Sequence, residues 1–414
     1  MNMIYPSCGR VKTRRIQDIK ANAENIRYFC KKTDMDINKI RSYFPVTRNC
    51  AYFQSAGMSP VPVPVLERIV AGYMQLSEYG DINWQKDADM VKSLYERIAG
   101  MCGCSPEDVV FAESNSAAMS YVALAFKKKQ GSFNVVSMEE EFPSNTVPFE
   151  YQGIEMRYVQ PVQHRYPIED ILALCDGNTR AVITSHVQYC TGYRQDIAAL
   201  GRELKRRGIL FIVNTTQGFP FFPLHMEQMH IDVLTCSVHK WGFCGHIGTL
   251  FMTRPSFRAE YPTPVAGWLS VDVTGSGDFI HTAKNKSFKV WPTAQQYDFA
   301  SADLKGRLGL KYSLEFLESF GWEELRSHIT EMRNYLVDSL KKLPVDLISP
   351  SETPEELSAI VSFSCRNGSN AELVKHLESS KVIVALRNGY VRASVNVFTS
   401  KEDVDALCGE MGGL

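Results

Sequence analysis

Short apolar runs alternate with amphipathic stretches through the middle of the chain. The runs are rich in β-branched residues, whereas the stretches between them place apolar residues at helical spacing. The successive segments are 109–112, 117–127, 134–137, 154–159, 168–175, 181–185, 197–207, 209–213 and 233–237. Because strands that alternate with helices pair through crossovers, this order predicts an α/β fold with a largely parallel sheet covered by helices on both faces.

The pattern changes after about Pro292. Two long helical stretches, 304–319 and 323–343, are separated by Phe320 and Gly321, and short strands and helices follow them. This change predicts a second domain of the α+β type. The expected parts are an N-terminal arm (1–45), a large α/β domain (46–295) and a small C-terminal α+β domain (296–414).

Composition and charge narrow the possible partners. The chain is 44% hydrophobic, and 45 Lys and Arg residues nearly balance 46 Asp and Glu residues, so a buried core is expected and no overall field attracts nucleic acid. No apolar run approaches the ~20 residues that cross a bilayer, and no signal-peptide core is present. We therefore expect a cytoplasmic protein that binds a small molecule and neither nucleic acid nor a membrane. Its eleven cysteines should be mostly reduced thiols.

Two further features carry less information. Cys102 and Cys104 form a C-x-C pair with no second pair and no histidine at zinc spacing, so no structural metal is expected. The first forty residues are rich in Lys and Arg. They are expected to form a solvated arm that packs on the domain or on a second subunit, with a site for an anionic partner as the alternative.

A lysine follows one of the predicted strands. Lys240 lies in the segment 235–242, just past the apolar run 231–234, where open α/β sheets bind their ligands. By itself, the segment fits equally well an ordinary surface lysine in a polar loop. Other strand ends therefore have to be considered with it.

Three other strand ends carry polar clusters, at 113–117, 185–192 and 214–218. The cluster 113–117 also opens a helix, whose exposed amides and positive end favour a phosphate. Because the carboxyl ends of parallel strands meet at one edge of a sheet, these clusters can converge on one ligand. Four strand ends, a lysine and a phosphate cradle describe a pocket for pyridoxal 5′-phosphate (PLP).

The order and spacing of these motifs resemble the class V branch of the fold-type I PLP enzymes. That branch contains cysteine desulfurases, selenocysteine lyase, isopenicillin-epimerase-like proteins and kynureninase. The resemblance runs from about Ala51 to the C-terminus. The segments that carry it are 51–57 (AYFQSAG), 140–145 (EEFPSN), 185–192 (SHVQYCTG), 193–196 (YRQD), 217–218 (QG), 237–241 (SVHKW), 265–268 (VAGW), 386–394 (LRNGYVRAS) and 399–405 (TSKEDVD).

The resemblance implies a role for each residue of the pocket. Lys240 would carry the cofactor as a Schiff base and then act as the acid and base at Cα. Phe142 would stack on the pyridine ring, a place where many relatives carry His, unless it is an ordinary core Phe. The phosphate ligands would be Ser237, His239, Asn115 and Ser116. Gln217 would hydrogen-bond the phenolic oxygen of the cofactor, and Tyr189 is a weaker candidate for the same oxygen.

Substrate and assembly also follow from the resemblance. Arg392 matches the clamp for an amino-acid α-carboxylate, which the planar fork of guanidinium suits, so the substrate is expected to be an α-amino acid. Arg387, five residues earlier, is not included in this prediction, because it could be a structural ion-pair partner. Ser301 matches a hydroxyl that reaches the phosphate in a neighbouring subunit, which implies a homodimer.

The chain departs from the family at the pyridine nitrogen. Relatives place an Asp there, opposite the ring, and this chain has Asn214. A carboxylate favours the protonated ring, whereas an amide adds no such charge and can donate an N–H to the unprotonated ring. Three interpretations remain open: a reaction that needs less electron withdrawal, such as β-elimination; protonation restored through another group; or a degraded relative that binds PLP without turnover.

A second departure concerns sulfur. The segment Arg387-Asn388-Gly389 is followed by Tyr390, Val391 and Arg392, with no nucleophilic Cys, so a persulfide-forming desulfurase is disfavoured. We therefore predict a PLP-dependent enzyme that acts at Cα of an α-amino acid, by amino transfer or by β-elimination. The alternative is a PLP-binding pseudoenzyme or scaffold subunit. An unrelated nucleotide-binding fold is disfavoured because the cluster 113–117 lacks the glycines of a phosphate loop.

Overall fold

The computed structural model describes residues 36–129, 131–222, 224–273 and 288–412, so most of the predicted N-terminal arm lies outside the described residues. The helices are α1 (Ile37–Ser42), α2 (Val63–Tyr79), α3 (Trp84–Cys102), α4 (Asn115–Lys127), α5 (Val147–Tyr151), α6 (Ile168–Ala173), α7 (Ile197–Arg207), α8 (Pro255–Glu260), α9 (Leu304–Glu318), α10 (Trp322–Leu340), α11 (Asn370–Ser379) and α12 (Lys401–Met411). The strands are β1 (Ala51–Tyr52), β2 (Val109–Ala112), β3 (Asn134–Met138), β4 (Glu155–Val159), β5 (Thr179–Ser185), β6 (Leu210–Asn214), β7 (Val233–Ser237), β8 (Thr249–Thr253), β9 (Val345–Leu347), β10 (Ile360–Cys365), β11 (Val382–Ile383), β12 (Ala385–Arg387) and β13 (Tyr390–Ser394).

A seven-stranded sheet forms the centre of the large domain. Its strand order is β2-β8-β7-β6-β5-β3-β4. The strands from β7 to β4 are parallel to one another, and β8 runs antiparallel to both of its neighbours. The α/β fold with a mostly parallel sheet, predicted from the alternation of segments, is therefore confirmed.

Helices cover both faces of this sheet because its central strands are apolar on both sides. In β6, Phe211 and Val213 belong to one core cluster together with Leu200 and Leu204 of α7. Ile212, between them in sequence, belongs to a second cluster that includes the buried side of α4. Successive side chains of a strand point to opposite faces, so this single strand contributes to two cores.

The C-terminal part contains a four-stranded antiparallel sheet in the order β12-β13-β10-β9. The short strand β1 pairs in parallel with β11, and Phe44 and Phe53 share a buried cluster with Leu325 of α10 and Leu407 of α12. By packing, the beginning of the described chain therefore groups with the C-terminal sheet. The domain limits drawn from the sequence, with a break between residues 45 and 46, remain a prediction, and this contact counts against that break.

Candidate active site

The predicted strand ends lie side by side at one edge of the sheet. Ser185, the last residue of β5, is in register with Asn214, the last residue of β6, and Asn214 is in register with Thr235 of β7. All three side chains are buried. The sheet therefore brings together the polar clusters that the sequence places after separate strands.

Lys240 lies three residues past β7 in a half-buried position. Its Nζ lies 4.9 Å from the ring centroid of Phe142. Burial, followed by the nearby charges of Arg392 and Arg387, lowers the pKa of Lys240 from 10.5 to about 8. At that pKa about one amine in ten is neutral at pH 7, against fewer than about one in a thousand for an ordinary lysine. Lys240 is thus available as a nucleophile near neutral pH.

Aromatic and basic side chains close the pocket around this amine. The Phe142 ring is 37% exposed and meets the Tyr189 ring edge-on at 5.2 Å between centroids. The Tyr189 hydroxyl donates to Asn388 Oδ1 at 2.9 Å, in the turn between β12 and β13. The backbone carbonyl of Tyr189 accepts from Arg392 Nη1 at 2.8 Å. The β12–β13 hairpin is thereby attached across the pocket.

Arg392 is the most deeply buried cation near Lys240. Its residue is only 2% exposed, and its Nη2 has no hydrogen-bond partner among the described residues. Burial, with Arg387 as the next cause, lowers the pKa of Arg392 to about 10, so the guanidinium still carries its charge at neutral pH. A buried positive group with a free N–H is a ready site for a carboxylate.

A buried network of amides surrounds Asn214. Its Nδ2 donates to Asn145 Oδ1 at 3.0 Å, and Asn115 Nδ2 donates to the same oxygen at 2.9 Å. Asn145 Nδ2 donates in turn to Glu141 Oε1 at 3.1 Å. Burial raises the pKa of Glu141, and hydrogen bonds from Ser185 and its neighbours oppose that rise. Glu141 and Asn145 lie in the family-like segment 140–145, but the sequence pattern does not give either of them a role.

The predicted phosphate ligands lie at two places. Ser114 caps α4 by accepting the backbone N–H of Ala117 at 3.1 Å. Ser116 is exposed in the first turn of the same helix. Ser237 Oγ lies 3.1 Å from Thr249 Oγ1. Ser116 therefore lies at the start of a helix and Ser237 at the end of a strand. Their role as phosphate ligands stays a prediction.

His239 stands beside a second histidine. The rings of His239 and His246 are 4.1 Å apart between centroids. Burial, then His246 and Lys240, lowers the pKa of His239 to about 4, so its imidazole is neutral at pH 7. A neutral imidazole can still donate one N–H to a phosphate oxygen, which is the predicted role.

Of the two remaining predicted residues, Gln217 is hydrogen-bonded within the protein and Ser301 lies apart from the pocket. Gln217 is held by the protein on both sides, because its Nε2 donates to the carbonyl of Ala56 at 3.0 Å and its Oε1 accepts from Trp241 Nε1 at 2.7 Å. One N–H of Gln217 remains for the phenolic oxygen of the cofactor. Ser301 is exposed in the segment before α9, and no described contact joins it to the Lys240 pocket.

The comparisons with known proteins identify the family. The model for aminotransferase class-V matches residues 51–407 of the chain. The chain belongs to this family. A probable cysteine desulfurase of Methanothermobacter thermautotrophicus is 24% identical over 404 residues, which covers 90% of this chain and 96% of that protein.

Two solved structures are similar over nearly their whole length. The apo structure of a cysteine desulfurase from Thermococcus onnurineus has a TM-score of 0.82 at 19% identity, covering 93% of this chain and 100% of the other. The complex of the cystine C–S lyase C-DES with its reaction product cysteine persulfide has a TM-score of 0.79 at 19% identity, covering 89% and 98%. The predicted fold class is confirmed by these neighbours.

Membership in the class-V family confirms the prediction of a PLP-dependent enzyme that acts at Cα of an amino acid. The relatives reported above do not favour the alternative of a scaffold protein. The described side chains fit the cofactor. A lysine with a lowered pKa faces an aromatic ring, and a helix begins at the same sheet edge. The buried Oδ1 of Asn115 and Nη2 of Arg392 have no partners among the described residues, so polar atoms remain for a ligand.

We expect covalent attachment of PLP to the apo protein to follow the titration of Lys240. Because only the neutral amine reacts, the rate should rise about tenfold per pH unit below pH 8 and level off above it. Replacing Arg387 with Gln removes a positive charge, which should raise the pKa of Lys240 and move the midpoint to higher pH. The measurement is the growth of absorbance between pH 6 and 10.

The control for this pH profile is Arg366→Gln, because Arg366 is an exposed arginine paired with Asp346. The ionisations of free PLP are common to every variant and cancel in the comparison. A midpoint near 10, or the same midpoint with and without Arg387, would contradict the assignment of the lowered pKa.

Proposed function

We propose that this class-V enzyme is a lyase that removes the β-substituent of an α-amino acid without a cysteine nucleophile of its own. The observation that carries the proposal is the β12–β13 hairpin, which turns through Asn388 and Gly389 alone, both with positive φ. Since only these two residues join Arg387 to Tyr390, the hairpin has no loop that could carry a reactive thiol into the pocket.

The cysteine thiols near the pocket are not suited to act as the nucleophile. Cys190 is fully buried, and burial, with Glu140 and Glu141 as further causes, raises its pKa to about 12. Burial raises the pKa of Cys244 still further above its usual range. Thiols of this kind stay protonated at neutral pH and are poor nucleophiles. The cystine C–S lyase with a similar fold supports elimination as an activity that this architecture can host.

The residues of the pocket have distinct roles in such an elimination. Arg392 binds the α-carboxylate through its free Nη2, and Phe142 presents the exposed face of its ring to the cofactor. PLP, when bound, supplies the electron withdrawal that makes the Cα hydrogen acidic. The Lys240 amine accepts the Cα proton, the bond from Cβ to its substituent breaks with its electron pair on the leaving group, and a Cα=Cβ bond forms.

An amino-acid panel with product identification by mass spectrometry tests the reaction. For a β-substituted substrate such as cystine or an S-alkylcysteine, we expect a 2-oxo acid that has lost the substituent, together with ammonium. Cys190→Ala and Cys244→Ser should keep at least half of the activity, because neither thiol takes part. A 2-oxo acid with the intact side chain would show amino transfer instead, and loss of activity in either variant would show a thiol mechanism.

We further propose that the enzyme is a homodimer. Leu66, Val70 and Tyr73 form an exposed apolar stripe at helical spacing on α2, and each is between 40 and 47% exposed. The hydroxyl of Tyr73 contacts Asp303, two residues after Ser301, so the stripe lies next to the residue expected to reach the other subunit. Exposed apolar patches of this kind commonly mark interfaces.

We expect Val70→Asp to convert the dimer into monomers, because it places a charge in the centre of the proposed interface. Light scattering after size-exclusion chromatography measures the mass. The matched control is Val162→Asp, since Val162 is a similarly exposed valine away from α2. A wild-type protein that elutes as a monomer would contradict the proposal.

The proposed location is the cytosol. The nine cysteines that the structure describes are all free thiols, which is the usual state in a reducing compartment. The described helices include none with the length and apolarity that a bilayer crossing requires.

A further inference from the structure

The side-chain amide of Asn214 is held in one orientation. Its Oδ1 accepts the backbone N–H of Thr216 at 2.9 Å, and its Nδ2 donates to Asn145 Oδ1 at 3.0 Å. A backbone N–H can only donate a hydrogen bond. The oxygen of Asn214 therefore has to face Thr216, and its NH₂ group has to face the opposite side.

The far end of Asn145 is constrained in the same way. Asn145 Nδ2 lies 3.1 Å from Glu141 Oε1, and the two oxygens of Glu141 accept the backbone N–H groups of Phe142 at 2.7 Å and Ser185 at 2.6 Å. Because both backbone groups donate, the carboxylate acts as an acceptor, and Asn145 has to turn its NH₂ toward Glu141. Its oxygen is then left for Asn214.

Burial makes this chain of donors and acceptors rigid. Glu141, Asn145 and Asn214 are all buried, so water does not offer alternative partners, and reversing any one amide would place two acceptors or two donors against each other. Such a mismatch between buried polar groups costs far more than an exposed one. Asn214 has a single free hydrogen on Nδ2 once its bond to Asn145 is made.

We propose that Glu141, Asn145 and Thr216 position Asn214 as an N–H donor to the pyridine nitrogen of PLP, so that the ring nitrogen stays unprotonated in this enzyme. The inference rests on the proposed function, since it requires PLP bound at Lys240. An N–H donor can meet only the lone pair of an unprotonated nitrogen. Glu141 does not protonate the ring, because the amides of Asn145 and Asn214 separate it from the cofactor and its two oxygens already accept backbone N–H groups.

The consequence is a choice between reactions. A ring without positive charge would withdraw electron density from Cα less strongly. That disfavours amino transfer, which depends more on this withdrawal than an elimination does. In β-elimination the electron pair of the Cα–H bond moves into the new Cα=Cβ bond, and a second pair departs with the leaving group. Asn214 thus restricts the enzyme to substrates with a good leaving group on Cβ.

The test is the ¹⁵N chemical shift of ring-labelled PLP bound to the enzyme. We expect the wild type to show the shift of an unprotonated, hydrogen-bonded pyridine, and Asn214→Asp to show that of a protonated ring at the same pH. A protonated signal in the wild type, or the same signal in both proteins, would overturn the inference. The wild-type spectrum decides this whether or not any variant folds.

Glu141→Gln tests separately whether the hydrogen bonds from Glu141 through Asn145 position Asn214. Because a Gln side chain can donate as well as accept, Asn145 is then free to turn, so we expect the dissociation constant of PLP to rise on the order of tenfold and the ¹⁵N signal to broaden or split. The matched control is Glu139→Gln, because Glu139 is exposed and, within the part of the chain that the structure describes, its side chain accepts a hydrogen bond from Gln160 alone. An unchanged signal in folded Glu141→Gln protein would remove Glu141 from the positioning role.

Failure of this inference is distinguishable from failure of the proposed function. Before each spectrum is interpreted, borohydride reduction and peptide mass mapping show whether PLP is attached to Lys240. If no peptide is trapped there, the function is wrong. If Lys240 is trapped and the ring is protonated, only the role of Asn214 is wrong.

Discussion

Lys240→Ala is expected to lower kcat by about a thousandfold or more. The amine has two tasks in the proposed reaction, since it holds the cofactor and accepts the Cα proton, and loss of a general base alone costs about 10² to 10⁴ in rate. No other lysine is expected to replace it, because the lowered pKa depends on burial beside Arg392. Steady-state kinetics measure the loss.

The spectrum gives an independent reading of the same variant. PLP added to Lys240→Ala should fail to give the absorbance band near the visible edge, and borohydride should trap no peptide around residue 240. Lys401→Ala is the matched control, because Lys401 is an exposed lysine paired with Glu331. Retention of the band and of trapping at another lysine would contradict the assignment of Lys240.

Arg392→Lys is expected to lower kcat/KM by about a hundredfold, mainly through KM. Truncating one member of a buried hydrogen-bonded charge pair costs about 2–5 kcal/mol, and an ammonium keeps the charge without the planar fork that binds a carboxylate. Arg392→Gln, which also removes the charge, should lose more. Titration of the holoenzyme spectrum with substrate measures the affinity without turnover.

Arg392 also donates to the carbonyl of Tyr189, so a loosened hairpin has to be separated from a lost carboxylate clamp. Tyr189→Phe removes the hydrogen bond to Asn388 and leaves Arg392 in place, and it should change KM by less than about threefold. Amines that lack the α-carboxylate should bind Arg392→Gln and the wild type equally. If they too lose affinity, Arg392 supports the hairpin and does not bind substrate.

Much of the fold was predictable because local pattern and global structure agree. Ile197–Arg207 has a clear helical period, and Leu210–Asn214 is a short apolar run of strand length. The alternation of such segments along the chain implies a parallel sheet. The strand β8 is not predicted by this alternation. It is a short apolar run, and its antiparallel place between β2 and β7 depends on partners distant in sequence, which no local period reports.

The pocket was predictable to the same extent. The reactive lysine and the four strand ends are predictable because ligands of open α/β sheets bind at the carboxyl ends of the strands. Polar residues that directly follow an apolar run are visible in the sequence. Glu141 and Asn145 were not assigned, since a buried polar side chain gives the same one-dimensional signal whether it binds a ligand or another side chain. Nor could the sequence tell whether Arg387 was paired, and the structure describes no carboxylate partner for it.

The sequence by itself determined the family, the layered architecture and the position of the reactive amine, because each depends on residue types repeated at short spacing. Only the tertiary structure decided the ionisation of Lys240 and the orientation of Asn214. Both are set by burial and by charged or donating groups from separate segments, and such long-range contacts exist only once the chain has folded.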